Sequence, residues 1–389
     1  MMIEQSSLFD SMTAEAAFDG RPAQLFELTN NNGMCIVLMD IGATWLSCKV
    51  PVTDKGAGKG TDTVRLREIL LGQNNMADFQ YQQSYMGVTV GRVANRIAKG
   101  QFSIAGVGYQ VDVNQAGNTL HGGTDGFNKR RWLATDNRDI NHGVSTDVET
   151  DKSTDISSDK SSQQNSVEFV LFSPDGDQGF PGELTVKVTY QLTDDNTVVI
   201  SYQGQTNKAT PINLTNHAYF NLLGADSGES ALTHSLTINS ATFVPTDEVG
   251  IPTGEWLNVK GSHFDFTTEK CIDQDFMLDT QQQTAKGYDH AFVLAKDCLQ
   301  GALAASLTSP DNLVSLNVFT SKPAMQLYSG NWLAGTPNRL GGEYQDYAGI
   351  ALETQFVPDA LNRPDWEHPS SILQPEDVYQ QQTSYQFNL

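Results

Sequence analysis

Basic residues are scarce in this 389-residue chain: 24 Lys and Arg stand against 46 Asp and Glu, a formal net charge of -22. So acidic a surface repels phosphate backbones and anionic lipid heads, so neither nucleic acid nor a membrane is expected as a partner. Long apolar runs are lacking too; none approaches the roughly 18 residues needed to cross a bilayer. The opening stretch MMIEQSSLFDSMTAEAAF holds neither the basic nor the apolar region of a secretory signal. Cysteines number four, Cys35, Cys48, Cys271 and Cys298, scattered and without a CxxC pair. They read as reduced core thiols of a cytoplasmic protein, not as a zinc site or a disulfide frame. A P-loop, a dinucleotide fingerprint and an HExxH motif are all missing, and the GxSxG-like segments lack a strand-turn-helix setting.

Apolar residues make up 39% of the chain and aromatics 9%, enough for a sizeable core and too much for a disordered polymer. The length suits two or three average domains, yet large all-β folds run this long as one unit. From Leu184 to Leu192 apolar and polar residues alternate without a break, the period of a half-buried strand. Val198–Tyr202 follows after a turn-rich connection, which predicts a hairpin. Val167 to Phe172, Met34 to Met39, Leu236 to Val244 and Val314 to Phe319 also read as short strands between turn residues. Residues 64–83 are the best helical candidate. The expectation is an all-β protein, a large antiparallel β-sandwich with few short helices, forming a single domain over residues 1–389. One stretch departs from this texture. Thr135 to Ser166 holds seven Ser, four Thr and seven acids in 32 residues, with no aromatic. It has too little apolar surface to offset the entropy of ordering it, and is expected to be a polar, mobile surface insertion.

Several polar residues sit inside apolar or Gly-rich segments. Asn95 and Arg96 lie beside small residues, and His121 precedes two glycines where backbone approaches a ligand closely. His217 is interleaved with hydrophobes, Asp289 and His290 stand at the mouth of a strand, and Glu353 occupies the middle of one. Each has a plain alternative: a turn cap for His121, a core histidine for His217, a turn residue for Asp289, a surface ion pair for Arg96. Glu353 is harder to dismiss, because a mid-strand carboxylate is disfavoured by propensity and costly to bury. It either faces water or is held for a purpose.

Taken together, the blocks GRVANRIAKGQF, NTLHGGTDGFNKRRW, SPDGDQGFPGELTVKVTYQLTDDN, PINLTNHAYFNLLG, YDHAFVL, MQLYSGNWL and GIALETQFVPDALNRPDW resemble those of the galactose mutarotases, or aldose 1-epimerases. They run in the family's order from about residue 25 to the C-terminus. The resemblance implies the mutarotase-like β-supersandwich and an isomerase that interconverts the α and β anomers of D-galactose, D-glucose and related aldohexoses. It implies Glu353 as general base and His217 as general acid. Asn95, Arg96, His121, Asp289 and Gln326 would bind the sugar hydroxyls. Ala218, where many members carry Ser, and the long polar insertion depart from the family pattern. Opening a hemiacetal removes a proton from the C1 hydroxyl and adds one to the ring oxygen, so neither cofactor nor metal is called for. Acidic neighbours are expected to keep His217 protonated near neutrality. The chain is expected as a monomer or homodimer whose partner is a small aldohexose. A hexose 6-phosphate epimerase, a non-catalytic sugar sensor and a glycoside hydrolase are the competing readings.

Overall fold

The alternation in Leu184–Leu192 is realised residue by residue: Leu184, Val186, Val188, Tyr190 and Leu192 are buried while Thr185 faces out. Its hairpin partner Thr197–Thr206 pairs with it in register from Leu184↔Thr206 to Leu192↔Val198. The computed structural model describes residues 3–54, 62–136 and 165–389, and every strand pairing among them is antiparallel. Nine strands form one sheet, running from Leu133–Asp136 at one edge to Lys270–Cys271 at the other, with the C-terminal strand Tyr379–Asn388 in its centre. Six form a second sheet, in which Ile350–Gln355, Ala324–Tyr328 and Asp289–Leu294 lie side by side. A third sheet of four strands spans Leu25–Thr29 to Thr63–Glu68.

The sheets share a core. Val188, Ile200 and Tyr385 of the nine-stranded sheet belong to the same buried cluster as Phe292, Met325 and Leu352 of the six-stranded one. Trp45 of the four-stranded sheet packs on Phe220 and Tyr385, with ring centroids 5.9 and 5.6 Å apart. Three α-helices are present among the described residues, Ile3–Thr13, Met76–Tyr81 and Thr280–Ala285, and none is long and apolar enough to cross a membrane.

Two sequence readings need correction. Residues 64–83 are not one helix. Thr63–Glu68 is an edge strand paired with Thr44–Asp54, and the helix is confined to Met76–Tyr81, where the Asn75 side chain accepts the Asp78 N–H at 2.9 Å. Pairing with a neighbouring strand outweighs a weak local period. The stretch Leu236 to Val244 is two strands: Ser235–Ile238 belongs to the nine-stranded sheet and Ser240–Val244 to the six-stranded one, so the chain changes layer at Asn239. Most of the polar insertion, residues 137–164, lies outside the described residues. Its ends are strand: Leu133–Asp136 pairs with Ser166–Ser173. All four cysteines are free thiols, and Cys271 is only partly buried.

Candidate active site

The segment from Asn213 to His217 is fastened to the segment 87–94 and to the end of the strand Ile350–Gln355. The Asn213 carboxamide accepts the Phe356 N–H at 3.0 Å, and the Ala94 N–H donates to the Asn213 carbonyl at 2.7 Å. The His217 N–H donates to the Val88 carbonyl, and the Gly87 N–H returns a bond to the His217 carbonyl, both at 2.9 Å. These bonds aim the imidazole at the strand Ile350–Gln355, second from one edge of the six-stranded sheet, where Glu353 is paired with Gln326 in register. His217 Nε2 lies 3.5 Å from Glu353 Oε1. Both residues are buried, and His217 Nδ1 and Glu353 Oε2 have no hydrogen-bond partner in the protein. Buried polar atoms are nearly always satisfied, so an unpartnered atom on each of two neighbouring side chains is unusual. Glu353 is therefore held inside, away from water.

Asn95 and His121 are brought together by a two-stranded piece in which Arg96 pairs with Leu120. They bind each other twice: the Asn95 N–H donates to His121 Nδ1 at 3.2 Å, and the His121 N–H donates to the Asn95 carbonyl at 3.1 Å. Both adopt positive φ, +62° and +51°, a conformation paid for by the surrounding contacts. Gly122 makes this approach possible. A Cβ there would stand 1.9 Å from the Gly91 carbonyl oxygen, at a φ of +92° that L side chains avoid. Gly122→Ala is thus expected to lower the melting temperature by about 5 °C or more through overpacking and strain. Calorimetry checks it, and an unchanged melting temperature would contradict the close approach.

Arg96 is held by donating from Nε to Gln115 Oε1 at 3.0 Å, and its Nη2 is 3.9 Å from Asp289 Oδ2. Asp289 Oδ1 accepts from the Gln326 amide at 2.6 Å, and the Asp289 N–H donates to His290 Nδ1 at 3.1 Å. Asn95, Arg96, His121, His217, Asp289 and Glu353 all line one cavity of about 230 Å³. Gln326 does not; it is buried behind Asp289 and orients that carboxylate. Sequence reasoning missed the aromatic wall. Tyr219 and Tyr85 lie against His217, with ring centroids 4.9 and 6.0 Å away, and Tyr328 and Trp332 complete it. Strand alternation offered a signal for Tyr328, two residues beyond Gln326 and opposite Asp289 in register. Tyr85 stands in a loop at a φ of +56°, for which no sequence pattern exists. A larger cleft of about 880 Å³ lies elsewhere, but its Arg65, Arg67 and Glu68 are already engaged by Asp54, by Asp311 and by Ser47 with the Cys48 N–H.

The expectation that His217 is protonated near neutrality is overturned. Burial disfavours the imidazolium more than Asp289 favours it, and pulls the His217 pKa down to about 4. Burial, with the charge of Asp289, pushes Glu353 up to about 8 against the pull of Arg96. Between about pH 4 and 8 the pair therefore holds one acidic proton between its two members. Burial also keeps His121 neutral, far below the ordinary histidine pKa. His121, His217 and Glu353 offer atoms within 4.8 Å of one another, close enough in principle for a metal ion. The His121 tautomer argues against it. Its Nδ1 accepts the Asn95 N–H, so Nε2 carries the ring proton and has no lone pair for a metal.

In this antiparallel β-sandwich the strand Ile350–Gln355 and the segment 213–217 bring a buried carboxylate and a buried imidazole to one small polar cavity, the residue types that general acid–base chemistry uses. The aldose 1-epimerase family model matches residues 24–386. The chain is 44% identical to an aldose 1-epimerase of Haemophilus influenzae, over 95% of this chain and 97% of that one. It is 37% identical to a galactose mutarotase of Bos taurus, over 84% and 85% of the two chains. Among solved structures it resembles a galactose 1-epimerase of Lactobacillus acidophilus, with a TM-score of 0.75 and 27% identity over 95% of this chain and 96% of that one. The chain belongs to the aldose 1-epimerase family, and is a carbohydrate epimerase of the isomerase class.

Proposed function

We propose that this protein interconverts the α and β anomers of D-galactose, D-glucose and related aldohexoses, with Glu353 as base and His217 as acid. The observation that carries the reading is the pair of orphaned atoms, Glu353 Oε2 and His217 Nδ1, in a cavity that also presents Asn95, Arg96, His121 and Asp289. Glu353 takes the proton of the C1 hydroxyl as the C1–O5 bond breaks, and His217 gives one to the ring oxygen. The aldehyde rotates about C1–C2, and the steps reverse on its other face, so that protons and electrons balance with no redox partner. Hydrogen bonds from sugar hydroxyls and the Arg96 guanidinium favour the Glu353 carboxylate, while Asp289 favours the His217 imidazolium; binding thus draws the shared proton onto His217. Arg96 is the only Lys or Arg among the described residues lining the cavity, beside two carboxylates, which favours a neutral sugar over a hexose phosphate. Capture of the sugar alone would not call for a proton-sharing pair, which favours turnover over sensing.

One domain, supported by the core common to the sheets, and a cytoplasmic location, supported by the four free thiols, belong to the same reading. So does a monomer or homodimer that works without cofactor or metal. Polarimetry of freshly dissolved α-D-galactose tests it: the protein should speed the drift to equilibrium, and an unchanged rate would refute the activity. The pH profile follows from the proton count. Below about pH 4 both groups are protonated and no base remains; above about 8 both are deprotonated and no acid remains. The expected profile of kcat/KM is a plateau between these limits, falling on both sides. A rate still rising through pH 9 would exclude a pair of this kind.

A further inference from the structure

Lys322 is fully buried, yet the proton relay makes no use of it. It lies in the turn 321–323, where the chain leaves the nine-stranded sheet after Ser315–Thr320 and enters the six-stranded sheet at Ala324–Tyr328. Its ammonium points between the layers. Nζ donates to the carbonyl of Leu214 and to that of Thr354, the latter at 3.3 Å, and stands 4.0 Å from the centroid of the Tyr202 ring. No salt bridge to Lys322 occurs among the described residues, and burial draws its pKa well below the ordinary lysine value. An ammonium so placed is costly in desolvation unless its contacts offset that loss. Two carbonyls and the face of an aromatic ring take up its three N–H directions.

The identity of the two carbonyls is what matters. Leu214 stands three residues before His217, and Thr354 directly follows Glu353. Thr354 turns its side chain away from Glu353 to Thr383, with Oγ1 atoms 2.5 Å apart, so Lys322 grips this strand from the side opposite the cavity. His217 Nε2 and Glu353 Oε1 stand 3.5 Å apart, while His217 Nδ1 and Glu353 Oε2 have no hydrogen-bond partner in the protein, so the backbones that carry the two side chains help to set their spacing. From these contacts we propose that Lys322 is a positioning residue. It fixes the separation of His217 and Glu353 by binding both of their backbone segments to one ammonium group. The inference rests on the assignment of those two residues as the proton-transfer pair.

Lys322→Met retains the length and apolar stem and removes the N–H donors. A misplacement of about 1 Å in a catalytic group is enough to cost roughly 10²-fold. Lys322→Met is therefore expected to lower kcat for galactose mutarotation by about 10- to 100-fold, with KM changed by less than about 3-fold, at temperatures where it is fully folded. Lys322→Gln keeps an N–H₂ donor and should lose less; should the Met variant not fold, the same split in Lys322→Gln decides the matter. A purely structural lysine would lower the melting temperature of either variant and leave kcat of the folded protein intact, and that result overturns the proposal. Crystal structures of the variants give a readout independent of turnover. The His217–Glu353 separation should be altered, and an unchanged separation overturns the positioning role even if the wild-type protein proves to have a different activity. An inactive wild-type protein with an altered separation in the variants would instead strike at the proton-transfer assignment alone.

Discussion

Replacing Glu353 by Gln is expected to lower kcat for α-D-galactose mutarotation by about 10²-fold or more while changing KM by less than about 3-fold. Gln keeps the shape and the strand register with Gln326 but cannot accept the C1 proton. Arg96, His121 and Asp289 still line the cavity in this variant, so binding is expected to survive where turnover does not. His217→Asn should behave alike, since it removes the partner 3.5 Å away. The double variant should be scarcely worse than either single one, because groups that act as a unit are grossly non-additive. Stopped-flow polarimetry gives kcat and KM, and calorimetry gives the affinity. Near-normal kcat in Glu353→Gln with galactose binding intact would disprove the assignment and reopen the sugar-sensor and hydrolase readings.

Arg96→Met should act on the other side of the ledger, weakening galactose binding by roughly 10- to 100-fold through loss of charge-assisted hydrogen bonds in a buried setting. Arg96 is mostly buried, oriented by Gln115, and packed so tightly under Gly250 that a Cβ on that glycine would stand 2.7 Å from its Cζ. A flexible lysine cannot reproduce a planar fork in this slot, so Arg96→Lys should recover only a small part of the loss. Titration calorimetry with Glu353→Gln as the background measures binding without turnover. A dissociation constant unchanged by Arg96→Met would show that the guanidinium serves Asp289 alone and not the sugar.

Much of this architecture was legible in the chain itself, and the reason is periodicity. A strand with one buried face writes its alternation into the sequence, as Leu184–Leu192 does, and the turn residues between strands leave helices little room. Glu353 could be singled out because a carboxylate in the middle of such a strand violates the pattern around it. Periodicity is silent about which sheet a strand joins. The break at Asn239, which sends Ser235–Ile238 and Ser240–Val244 into different layers, follows from long-range pairing with Ala305–Thr308 and Asp289–Leu294. The same applies to Thr63–Glu68, whose partner strand overrode a weak helical period.

For the site, the sequence by itself determined the residue types, a carboxylate, an imidazole, a guanidinium and amides embedded in small and apolar surroundings, while acid–base chemistry on a sugar was implied by the family resemblance of the blocks that hold them. Tertiary structure decided how they are used. Burial, which no local window reports, pulls the His217 pKa down and pushes that of Glu353 up. Register put Gln326 behind Asp289 and not in the cavity. Tyr85, Tyr219 and Tyr328 came to the wall from separate segments of the chain, and Lys322 reached the segments that carry His217 and Glu353 through two carbonyls more than a hundred residues apart. Such relations depend on distances in space between residues remote in sequence, and only the packed chain has those distances.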